Sequence, residues 1–161
     1  MGAFKSLELS ILELKEKIAA LQKEILEMSV PVIPAVVPGT IIVPLLGRLS
    51  VERLHGIQAK VAEIAAEENV EAVIVDFTGI YIADVEASIG YEQLGREVVD
   101  LAKTLELIGV DMYFAGFSPK FVQMLVLSDA EPFTTIKAFA TNRHAIKYVL
   151  KRKGFQLVKQ T

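Results

Sequence analysis

Two aspartates, Asp76 and Asp84, stand eight residues apart around the end of a β-branched run, Val73-Ile74-Val75. Two acids delivered to one end of a sheet are the raw material for acid–base catalysis or a Mg²⁺ site. A hydrolase would also need a nucleophile or a shaped pocket. The Asp76–Asp84 loop holds one glycine, Gly79, and no Gly-rich phosphate cradle. Capping and loop hydrogen bonding explain both acids more simply. A helix is expected to begin just after Asp84, where unpaired amides would attract an anion. Val85 and Glu86 follow, and neither carries a hydroxyl. His55 and His144 lie far apart on different expected helices, unlike the short-spaced histidines of metal motifs. The chain has no cysteine, so thiolate sites and disulfides are excluded. No metal and no cofactor is expected.

The elements that must position these residues begin with a heptad helix. Phe4, Ile11, Ile18 and Ile25 occupy position a, and Leu7, Leu14, Leu21 and Met28 position d. Ile at a with Leu at d favours a parallel two-stranded coiled coil. An amphipathic helix folded back on its own domain is the other reading. The e and g positions (Glu8, Lys15 and Gln22 against Ser10, Lys17 and Glu24) show no clean charge complement. The chain divides near Ser29-Val30-Pro31, giving an N-terminal helix over 1–29 and a globular domain over 30–161. A length of 161 residues, 52% of them apolar and 23% charged, suits one cored domain with an appendage. The net charge of −3 leaves no footprint for nucleic acid. No apolar run approaches about 18 residues, so no membrane span is expected, and no signal sequence is evident. A cytoplasmic location fits.

Pro31, Pro34 and Pro38 demand extended chain. Val32–Val37 and Thr40–Leu45 read as a hairpin around Pro38-Gly39. Ser50 caps a helix to about Glu68, and Asn69 ends it. A strand over Ala72–Asp76 comes next. The helix after Asp84 runs to a cap at Gly109. Then follow a strand over 111–116, a short helix from Ser118-Pro119 to Leu127, a strand over Phe133–Phe139 and a helix over Asn142–Lys153 capped by Thr141. Strands separated by helices lie parallel. The class is α/β, with four or five mostly parallel strands and helices mainly on one face.

In order and spacing, six segments resemble the STAS domain, the sulfate-transporter and anti-sigma-factor-antagonist fold. They are Pro31-Val32-Ile33-Pro34, Val43 to Leu49, Ile74 to Ile80, Ala83-Asp84, Leu107 to Val110 and Ala115 to Pro119. Within that family the chain is most similar to stressosome scaffold and co-antagonist proteins. The resemblance implies partner switching without catalysis. It implies a serine/threonine kinase partner of the histidine-kinase-like ATP fold, contacted at a surface around Asp84, Val85 and Glu86. Other STAS proteins and a larger stressosome-like assembly are implied as well, and the heptad repeat adds homodimerisation through residues 4–28.

Such domains place a phosphorylatable Ser or Thr just after the Asp, where this chain has Val85. A second family acceptor falls near Gln123-Met124, and methionine accepts no phosphoryl group either. Glu86 then reads either as a permanent phosphate mimic or as an ordinary first-turn acid. Thr141 is the best remaining hydroxyl, since a phosphate there would meet free helix amides. Ser88 is a weaker candidate. Plain capping accounts for Thr141 without any kinase. The other functional class is a STAS domain that binds a nucleotide or small anion without phosphorylation.

Overall fold

The computed structural model describes residues 2–28, 30–128 and 136–160, and leaves aside the side chains of 26–28. Helix α1 (Gly2–Met28) comes first. The sheet then takes its strands in chain order, β1 (Ile33–Pro34), β2 (Thr40–Leu46), β3 (Ala72–Gly79), β4 (Asp111–Ala115) and β5 (Lys137–Phe139). The β1–β2 pair is antiparallel and every later pair is parallel. The expected hairpin therefore exists, but only Ile33 and Pro34 pair in its first arm. Helices α2 (Val51–Glu68), α3 (Ile82–Ala87), α4 (Tyr91–Leu107), α5 (Pro119–Leu127) and α6 (Asn142–Arg152) complete the chain.

Side chains alternate across a strand, so each strand feeds two cores. Val73, Val75 and Phe77 join Ile41, Val43, Leu45, Met112 and Phe114 on one face, beneath α2, α4 and α5. Ala72, Ile74, Tyr113 and Ala115 face the other way, and α6 covers them with Ala145 and Val149. This explains why β3 reads as an unbroken apolar run: it is buried on both sides.

Sequence-visible caps end and start the helices. Ser50, Ser118 and Thr141 each accept a backbone N–H three residues on. Asn69 adopts the left-handed conformation that closes α2. Two boundaries differ from expectation. Strand β3 runs through Asp76 to Gly79, because Asp76 still pairs with Pro44 and Ala115 on either side. The helix expected after Asp84 is two helices. Gly90, at φ +76°, breaks the chain between α3 and α4. The last strand was expected over 133–139; Lys137–Phe139 is strand, and 133–135 lie outside the described residues. No helix among the described residues is long and apolar enough to cross a membrane.

Helix α1 carries no such cover. Phe4, Leu7, Ile11, Leu14, Ile18, Leu21 and Ile25 are all between 47% and 76% exposed. The fold-back reading of this helix therefore fails for the described seam, which no segment among the described residues covers. Met28 falls among the side chains left aside.

Candidate functional site

In open α/β sheets ligands and partners meet the carboxyl ends of the strands. Here that end gathers the exits of β2, β3 and β4 and the starts of α3, α5 and α6. A shallow cleft there is lined by Thr78, Tyr81, Ile82, Ala83, Gly116 and Ser118, among others.

Its floor is organised by Asp76. One carboxylate oxygen accepts the Thr78 amide at 2.9 Å and the Thr78 hydroxyl at 2.5 Å. The other accepts the Asn142 side-chain amide. Asp76 therefore fastens the end of β3 to the start of α6, across 66 residues of chain. Both oxygens are engaged within the fold, which is the loop-bonding role expected of it. Gly116 permits this closeness. At φ +81°, a Cβ on it would stand 2.3 Å from the Thr78 nitrogen.

Asp84 is not a strand-end acid that precedes a helix. Tyr81 is the N-cap of α3, so Asp84 sits inside its first turn. The acid gains from the helix dipole there, but α3 is only six residues long. The same shift re-aims Val85. One helical turn beyond the half-buried Ile82, its side chain turns inward and is 1% exposed within the main core. The expected surface around Asp84, Val85 and Glu86 thus excludes the Val85 side chain. Glu86 is exposed and Asp84 half-buried. Beneath α3, the rings of Phe77, Phe117, Phe121 and Tyr91 pack edge to face or tilted, with centroids 5.0 to 5.9 Å apart. Burial raises the Tyr91 phenol pKa, and the Glu86 charge adds to the shift.

The candidate hydroxyls are occupied locally. Ser88, the C-cap of α3, donates to the Asp84 carbonyl at 2.5 Å. Thr141 is exposed at the N-cap of α6, where its oxygen accepts the His144 amide at 3.2 Å and lies 3.0 Å from His144 Nδ1. Met124 is half-buried against the main core. His55 lies on α2, on the other face of the sheet from His144 on α6, and pairs with Glu97 at 3.1 Å. Sequence reasoning missed Asn142, because no local pattern joins it to an acid 66 positions away. It also missed Tyr91 and the aromatic bed. The spacing of Phe117 and Phe121 on one face offered a partial signal.

Residues 31–145 match the model of the STAS domain. The chain belongs to the STAS domain family. It is 29% identical over 112 residues to the RsbT co-antagonist protein RsbRB of Bacillus subtilis, which covers 70% of this chain and 38% of that protein. The RsbT co-antagonist RsbRA of the same organism is 27% identical over 112 residues, again 38% of its length. This STAS chain therefore spans well under half of the curated relatives it matches. Among solved structures, its fold is similar to RsbS of Moorella thermoacetica, at 16% identity over 78% of this chain and 97% of that one, with a TM-score of 0.56. It is also similar to the anti-sigma factor antagonist SpoIIAA in its unphosphorylated form, at 20% identity over 80% and 99% of the two chains, with a TM-score of 0.53. At those identities the likeness is one of fold. The STAS resemblance read from the sequence is borne out, as is its five-stranded, mostly parallel form.

Proposed function

We propose that this STAS chain is a non-enzymatic scaffold of stressosome-type partner switching that binds a serine/threonine kinase of the histidine-kinase-like ATP fold. One observation carries the reading: the similarity to two RsbT co-antagonists over 112 residues. In this reading the kinase meets the acidic lip of α3, Asp84 and Glu86, while Val85 acts from below by fixing the helix to the core. The lip then has a constant charge, because the usual acceptor positions hold Val85 and Met124. Glu86 supplies negative charge there without a phosphate, although a carboxylate matches phosphate only in part. Thr141 remains the better candidate for modification and Ser88 the poorer. A phosphate on either would displace a hydrogen bond that the helix end now uses. Two copies join through the α1 seam and go on to associate with other STAS proteins in the cytoplasm.

A kinase pull-down with the full chain, followed by incubation with ATP and mass spectrometry, tests this. Capture without modification near α3 is expected. Failure of an active cognate kinase to bind would refute the reading. The alternative is a STAS domain that takes a nucleotide or small anion. It is favoured only by the missing acceptors, and calorimetry with GTP, ATP and small anions would reveal it. The cleft residues named above include no cation that would hold a phosphate.

A further inference from the structure

The last 25 residues carry seven of the chain's 17 cationic side chains and none of its 20 acidic ones. The remainder therefore holds ten cations against twenty acids. Most of the basic set lies on α6. Arg143, Lys147 and Lys151 follow one another at i, i+4 spacing along its outer side and are exposed. None of the three has an ion-pair partner among the described residues. Arg152 and Lys153, by contrast, reach Asp111 at 3.7 Å and Glu71 at 2.8 Å.

Like charges at that spacing repel. The helix dipole favours Lys151 near the C-terminus but opposes Arg143 near the N-terminus. Helix α2 shows the mirror image. It ends in Glu67-Glu68 with no basic residue in its last turn, so two exposed acids stand at the negative end of the dipole. Both helices thus carry charge that their own fold does not stabilise. The two patches lie on opposite faces of the sheet. The start of α6 is at the strands' carboxyl end, and the end of α2 is at their amino end.

We propose that the basic outer face of α6 docks the acidic end of α2 of a second copy, head to tail. Each charge set then meets both its opposite and the opposing helix dipole. Because the two patches lie on opposite faces of the sheet, one contact cannot hold both pairs, so the contact is heterologous and repeats into a ring or an open array. This deepens the assembly part of the functional reading: the α1 seam makes the pair, and the charged faces join pairs.

Sedimentation of the full chain at low salt and high protein concentration tests it. Species heavier than the pair should form and should dissolve as salt screens the contact. Arg143→Glu/Lys147→Glu and Glu67→Lys/Glu68→Lys should each weaken this association about tenfold or more, the loss of two or three exposed ion pairs. Mixing the two variants should restore it, since each supplies the face the other has lost. Each variant alone should melt no lower than the parent, because the reversed charges now suit the dipoles. A parent that never exceeds the pair, or a mixture that stays dissociated, would overturn the proposal. If the α1 seam fails instead, the base species becomes the monomer while the salt-sensitive step persists.

Discussion

Helix α1, with a strict heptad, and strand β3, with an unbroken apolar run, meet opposite fates. Val73, Ile74 and Val75 are fully buried, with one face under α2 and α4 and the other under α6. The α1 seam has the same kind of side chains and leaves them in water. The difference lies in the period. A period of two fits a pleated sheet, and an unbroken run fits one covered on both sides. A heptad fits another helix wound around it, and the described residues offer α1 no such helix. Apolar pattern in β3 therefore specifies folding, whereas in α1 it is left exposed, which is what the proposed pairing of two copies would use.

Substitutions should separate the two, beginning with the largest loss of folding stability. Phe77→Ala removes the ring that touches Phe114, Phe117 and Phe121 and should cost about 3–5 kcal/mol in denaturant titration. Gly116→Ala forces a Cβ against the Thr78 backbone at a positive φ. It should cost about 2 kcal/mol or more and loosen the cleft. Val85→Thr puts a hydroxyl in the core and should cost about 1–3 kcal/mol. The new hydroxyl should stay unphosphorylated while α3 remains packed, so efficient labelling at residue 85 would show that α3 opens. Thr141→Ala removes the α6 cap and should cost about 1 kcal/mol. Ile18→Asn should leave the unfolding midpoint of the sheet domain unchanged, yet shift the sedimenting mass from pair to monomer. An unchanged mass would end the claim that α1 makes the pair.

Much of the sheet domain was legible because its signals are local. Ser50, Ser118 and Thr141 announce helix starts, and Asn69 and Gly109 announce helix ends. The break at Gly90 was hidden because the apolar spacing runs on across it from Val85 to Leu94. A second misplaced boundary, the start of α3 at Ile82 and not after Asp84, turned Val85 from an expected surface residue into a core residue. The Asp76–Asn142 bond was hidden for a different reason: it joins elements that only the finished topology brings together. Side-chain type and short spacing foretell caps and cores, while the site depends on which helix start falls beside which strand end.

Titration of the full chain with its kinase, in parent form and as Asp84→Asn/Glu86→Gln, tests the central claim most directly. The account predicts saturable binding by the parent and at least about tenfold weaker binding by the variant, the loss of two charged contacts, with at most a small drop in the unfolding midpoint from the lost helix-dipole contact of Asp84. Equal binding by both, or none by the parent, would contradict it.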